Sequence, residues 1–433
     1  MDRHITYPVG TAALPFQSHE RAGGLPTAGP RHSLRAGRFH RSPKEQQIVR
    51  RILLTGVAAA TALAAAAVCA PAATASATAA ARADDGRPHA HHAVFAQTNN
   101  PAGNQVVAYH RADDGRLTQT AVYDTGGLGG VLQGSVADHL ASQGSLTYDP
   151  EHALLYAVNA GSNTVSVFTV DGDRLKLVEQ VESCGTFPVS VAVHGDVVYV
   201  LNALNRGSIQ GYRVVDGHLK RKTHWNRALG LDPNAKPQFT NTPGQVGFLA
   251  DGSQLVVTTK ANGNAIDVFA LDSSGAPADS PTVTTVPGAV PFGFVPNGRH
   301  GLFLTEAGPN VLATFRVRAD GRAAEKASVA TGQSATCWVV AVGDLLFVSN
   351  AGSSTLTGIR TADHGRQLTL LGNTPTDPGT TDAAVSSDGH HLYVQTGVNG
   401  IIDEFTVNDD GSLTPIGSQT VPGGVGGEGI VAF

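Results

Sequence analysis

Leu154-Leu155-Tyr156-Ala157-Val158-Asn159-Ala160-Gly161-Ser162-Asn163-Thr164-Val165-Ser166-Val167-Phe168 is one pass of a pattern that recurs along the chain. An apolar alternating run leads into a polar Gly/Asn/Ser turn, and a second alternating run ends in an aromatic residue or Ile. Cognates begin near Ala93, Val197, Leu255, Leu302, Leu345 and Leu392. Period-two runs joined by turn residues read as strands in hairpins. Hairpins repeating every roughly 40–60 residues predict stacked four-stranded blades, an all-β propeller, and not helical repeats.

Each unit reads as an inner strand A followed by strands B, C and D, with the repeated hairpin supplying B and C. Inner strands are expected at Ser145–Tyr148, Val189–Val193, Gln245–Leu249, Phe292–Val295, Trp338–Val342 and Ala383–Ser386. The hairpin at Ala93 has none before it, while the chain ends on an orphan apolar run, Gly429-Ile430-Val431-Ala432-Phe433. That tail is expected to supply strand A of the first blade. The ring then has seven blades and no open sheet edge. Asp114-Gly115, Asp216-Gly217, Asp320-Gly321 and Asp410-Gly411 precede D strands and provide the positive φ angles of hairpin turns.

Composition fits this reading. Glycine is abundant (51 residues), aromatics are scarce (6%), and the charge is low, with a formal net of −5. No basic stripe marks a nucleic-acid surface. Arg50-Arg51 followed by an Ala-rich apolar stretch, Ile52–Val68, and the small-residue sites Ala75-Ser76-Ala77 and Ala81-Arg82-Ala83 reads as an export signal over 49–83, not a stable membrane span. Residues 1–48 read as an over-called leader with Val49 as initiator, 84–92 as a linker, and 93–433 as the propeller. Localisation is thus expected to be secreted. Cys184 and Cys337 remain after cleavage, and the sequence leaves open whether they bridge or sit as small apolar residues.

Two excursions interrupt the repeat, Gly126–Gln143 and Trp225–Thr242, and both are expected to lean over the mouth of the central channel.

The blade pattern and count resemble the lactonase-like seven-bladed propellers, the family that includes 6-phosphogluconolactonase. Leu154–Phe168 is also similar to the Tyr-Val-Thr-Asn repeats of surface-layer propellers. Ser142-Gln143-Gly144-Ser145, Pro291-Phe292-Gly293-Phe294 and Cys337-Trp338 resemble a secreted actinobacterial branch. The resemblance implies lactone hydrolysis at the channel mouth. Phosphogluconolactonases of this type carry Gly-Pro-Arg-His on an inner strand and Asn-Glu at the end of strand B. Here the strand reads Val290-Pro291-Phe292-Gly293 and the strand end reads Glu306-Ala307, so the Arg and His are missing and the acid stands one position early. A neutral lactone is therefore expected in place of a phosphorylated one.

Aligning the hairpins gives a column at the end of strand B: Thr98, Asn159, Asn202, Thr259, Glu306, Asn350 and Thr396. Glu306 alone is charged. Lys260 occupies the next column, one blade earlier. The pair reads either as a catalytic couple, carboxylate activating water and ammonium holding an oxyanion, or as an interblade salt bridge. Gln143, Gln245, Trp338 and Asp382 at inner-strand starts, with His139 from the first excursion, are candidate substrate-binding residues. Ser145 and Ser190 lack a nucleophile-elbow context. No cofactor or metal site is expected. His89, His91 and His92 read as an adventitious tract. The partner is a small-molecule substrate or extracellular ligand, and a closed ring reads as a monomer. The competing reading is a non-enzymatic extracellular binding or scaffold propeller, and an isomerase or lactonising activity is a weaker third.

Overall fold

The computed structural model describes residues 92–433. The leader and export-signal readings fall on residues 1–91 and lie outside them. Among the described residues, no helix is long and apolar enough to cross a membrane.

Seven four-stranded antiparallel sheets stand in a ring, and neighbouring strand A segments pack around its axis. Blades 2 to 7 each use four consecutive strands. Their inner strands are Leu146–Asp149, Thr186–His194, Pro243–Phe248, Pro291–Asn297, Thr336–Val342 and Thr380–Val385, matching the expected positions with small shifts at the ends.

Blade 1 is built from both ends of the described chain. Ile430–Ala432 lies innermost against Ala93–Gln97, with Phe95 opposite Val431. Ala93 and Phe433 exchange backbone hydrogen bonds of 3.1 and 3.0 Å, and the Gln97 amide donates to the Gly429 carbonyl at 2.9 Å. The Phe433 ring stacks on Tyr148 of blade 2, with centroids 4.3 Å apart. The terminal strand therefore pairs within one blade and packs against the next.

Strand B departs from the alternation read in the sequence. All six residues of Leu154–Asn159, Leu345–Asn350 and His391–Thr396 are buried. Strand B lies between A and C in its own sheet and between two neighbouring blades, so both faces are covered and neither requires polar residues. The outer D strands do alternate, as in Leu117–Asp124. The two-residue turn Asp216-Gly217 has φ of 53° and 75°, the doubly positive geometry of a type I′ hairpin.

One reading needs correction. Trp225 is not in a loop. It lies on strand D of blade 3, His218–Ala228, buried and stacked on Tyr199, so the second excursion starts after Ala228. Cys184 and Cys337 are both free thiols.

Candidate functional site

The excursion between strand D of blade 1 (Leu117–Asp124) and strand A of blade 2 does more than lean over the mouth. It enters the ring and plugs it. The Gln143 side-chain amide donates to the Val339 carbonyl at 2.9 Å and accepts from the Val339 amide at 3.2 Å, reaching from blade 2 to blade 6. Trp338 Nε1 donates to the Ser142 carbonyl at 2.6 Å, and Ser190 Oγ to the Gln143 carbonyl at 2.8 Å. The Gln143 amide donates to the Gly244 carbonyl of blade 4 at 3.1 Å. Each bond satisfies a buried polar group, as a backbone segment inside a channel requires. Gly293 makes room: a β-carbon there would overlap Gln143 Oε1 and lie 2.7 Å from the Cys337 carbonyl oxygen. Gly397 does the same for the loop's outer part, where a β-carbon would overlap the Ala137 carbonyl.

Plug residues line two cavities. The first, about 530 Å³, is walled by Asp138 and Ala141 of the plug, Phe239 of the second excursion, and Lys260, Phe292 and Trp338 of blades 4 to 6. Phe292 and Trp338 meet edge to face at 4.9 Å. The second, about 400 Å³, runs among inner strands and is lined by Gln143, Gln245 and Asp382.

The position after strand B reaches the first cavity in blades 4 to 6. It is held by Asn99, Ala160, Ala203, Lys260, Ala307, Ala351 and Gly397, and Lys260, Ala307 and Ala351 line the wall. Lys260 is the one charged member. Its side chain is buried, its Nζ donates to the Ala141 carbonyl, and it stands 5.1 Å from the Phe292 ring centroid. Burial pulls the ammonium down from 10.5 to about 7, against the opposing pull of Asp138 and Glu428.

Asp138, in the same wall, is also buried. Its Oδ1 accepts from the Leu140 amide at 2.7 Å and its Oδ2 from the Ser142 amide at 2.8 Å. Burial pushes this carboxyl up to about 6, while the two amides and Lys260 hold it down. Glu428 lies behind, accepting from the Ser145 amide at 3.3 Å and the Ser142 hydroxyl at 3.4 Å. Burial raises it, with Asp138 and Asp382 adding to the effect.

Of the residues singled out from sequence, Lys260 and Trp338 share the first cavity. Gln143, Gln245 and Asp382 line the second. Gln245 Oε1 accepts from the Phe294 amide at 2.6 Å, and burial pushes Asp382 up to about 7. His139 lines neither, facing a separate cleft with Asn100 and Asn399. The structure does not bring Glu306 to Lys260. No ion pair within 4.0 Å joins them, and the residue on the cavity wall is Ala307. Glu306 is pushed up to about 7 by burial and then by Glu325. Successive strand residues face opposite ways, so one step separates the capping column from the cavity column. Other members of the capping column bond across their own turns: Asn159 to Thr164 and Ser166, Asn350 to Thr355 and Thr357.

Sequence reading missed Asp138, Phe239 and Phe292 as cavity residues. The sequence places both excursions at the channel mouth, and Phe292 lies within the Pro291-Phe292-Gly293 run. No local pattern says which loop residue enters the ring.

Residues 109–427 match the profile of "Lactonase, 7-bladed beta-propeller". The chain belongs to this lactonase family. No curated protein matches it. Among solved structures, this lactonase-family propeller is similar to a putative 6-phosphogluconolactonase from Bacteroides fragilis (TM-score 0.61, 18% identity, 79% of this chain and 98% of that one). It is also similar to a periplasmic gluconolactonase from Pseudomonas aeruginosa (TM-score 0.59, 17% identity, 78% and 98%). At these identities the likeness is one of fold. The chemistry must come from the site itself: an amine and a carboxyl, both shifted toward neutrality, in the wall of one apolar cavity.

Proposed function

We propose that the protein hydrolyses a small lactone that carries no phosphate, in the cavity between the plug and blades 4 to 6. The observation that carries this reading is Lys260 and Asp138 buried together in the wall of that cavity. Protonated Lys260 donates to the lactone carbonyl oxygen and holds the charge that develops there, an effect strengthened by the apolar surroundings. Asp138, as carboxylate, takes the proton of the attacking water. The ring C–O bond breaks, and the proton on Asp138 passes to the leaving alkoxide. The products are an alcohol and a carboxylic acid on one open chain, and the acid gives its proton to solvent to leave the carboxylate.

Lys260 is the one cation lining the cavity, and no arginine does so. A phosphoryl group needs more than a single amine already bonded to Ala141, which supports an unphosphorylated substrate. Export is part of the proposal, supported by Arg50-Arg51 and the Ala-rich stretch after them.

The test is titration of acid released from γ-butyrolactone and from a phosphorylated sugar lactone, by wild type and by Lys260→Met. Turnover of the first, lost in the variant, is expected. Preferred turnover of the phosphorylated compound, or full activity without Lys260, would refute the proposal.

A further inference from the structure

Almost every polar group in the first cavity already has a partner within the protein. Lys260 Nζ is bonded to the Ala141 carbonyl, Asp138 accepts two backbone amides, and the Trp338 N–H goes to Ser142. Thr240 Oγ1 donates to the Pro237 carbonyl at 3.3 Å and accepts from Asn241 at 3.0 Å. Ser135 Oγ donates to the Leu132 carbonyl at 2.8 Å, and the rest of the wall is built from aromatic rings, alanines, glycines, valines and the Cys337 thiol. A sugar lactone entering here brings several hydroxyls that must leave water and find few partners, and unpaired buried hydroxyls are costly.

Apolar character continues outward. Val136 and Val398 both line the cavity, yet are 78% and 41% exposed. The polar chemistry is therefore deep, at Lys260 and Asp138, and an apolar track leads from it to solvent.

We infer that the substrate class is alkyl-substituted lactones, with the ring at Lys260 and Asp138 and the aliphatic tail lying along Phe239, Val136 and Val398. This rests on the hydrolase reading for its rate assay, but the preference for an apolar tail is measurable by binding alone. A volume of about 530 Å³ accommodates a ring and a medium-length chain.

The experiment measures kcat/KM of the wild-type protein for γ-butyrolactone, γ-hexanolactone, γ-octanolactone, γ-decanolactone and glucono-δ-lactone, with calorimetric binding of the alkyl series alongside. The expected result is a rise of roughly three- to four-fold for each methylene that leaves water, with glucono-δ-lactone the poorest. Val136→Asp, at an exposed position that tolerates a charge, should cut the γ-decanolactone to γ-butyrolactone ratio about ten-fold. Turnover with a flat or falling chain-length trend, or with glucono-δ-lactone best, overturns the inference and leaves the hydrolase reading standing. If no lactone is turned over, the hydrolase reading fails and binding decides: affinity rising with chain length sustains the apolar-tail preference, and its absence overturns it.

Discussion

Replacing Lys260 with methionine should make the protein more stable and less active together. The lysine side chain is 1% exposed, and no ion pair within 4.0 Å relieves its charge. A fall from 10.5 to about 7 corresponds to about 5 kcal/mol of disfavour for the ammonium, at about 1.36 kcal/mol per decade. Methionine keeps the unbranched chain and removes the charge. The pull of Asp138 is already contained in that value, so the remaining offset is the Ala141 carbonyl left without its donor, about 1–3 kcal/mol. A net gain of about 2–4 kcal/mol at pH 7 follows. The pH dependence is more telling. Because the folded-state value lies below the unfolded one, the unfolded chain holds the extra proton. The wild-type penalty is thus full below about pH 7 and fades as pH climbs towards 10.5. Urea melts of both proteins at pH 7 and pH 9.5 measure this, and the stability gap should shrink by about 2–3 kcal/mol at the higher pH. A variant less stable than wild type at pH 7, or a gap indifferent to pH, would refute the reasoning.

Ending the chain at Gly427 removes the closing strand, with buried Ile430 and Phe433 at about 1.5–3 kcal/mol each, and exposes Ala93–Gln97 as an edge. Against a total stability of about 5–15 kcal/mol, unfolding or aggregation is expected, and a well-behaved monomer by size exclusion and circular dichroism would contradict ring closure. Gly293→Ala should push the Gln143 amide off Val339 and cost roughly 2–4 kcal/mol in urea melts. The cost should be smaller in a Gln143→Ala background, and equal costs would show that the contact is not shared. Asp382, raised to about 7, contributes stability that is full below the unfolded value near 4 and is lost as pH rises through about 7. Asp382→Asn should therefore gain on wild type in thermal midpoint at pH 8 relative to pH 5, and a difference independent of pH would contradict the burial argument.

The ring was legible because its information is local and repeated. Seven hairpins and an orphan terminal strand imply seven blades and a closure, and the pairing of Phe95 with Val431 delivers it. Lys260 was legible for a related reason, as a charge in the column next to that of Glu306 and one blade earlier. Glu306 showed the same kind of contrast, but one position along a strand reverses the face, and alignment to the turn does not say which column meets the cavity. Asp138 was not legible because its position depends on a loop whose course is fixed by distant partners: Gln143 on Val339, Ser142 under Trp338, Lys260 on Ala141. Gln143 itself was read as a pocket residue. It does line the second cavity, and its amide is also the bolt that holds the plug across the ring.

Which carboxylate serves the reaction tests the proposed site most directly. The measurement is kcat/KM for γ-octanolactone with wild type, Asp138→Asn and Glu306→Gln, each checked for folding. Asp138→Asn should lose roughly 100-fold or more, while Glu306→Gln, outside the cavity, should stay within about three-fold of wild type. The reverse pattern, with Glu306 indispensable and Asp138 replaceable, would contradict the assignment of the site to this cavity.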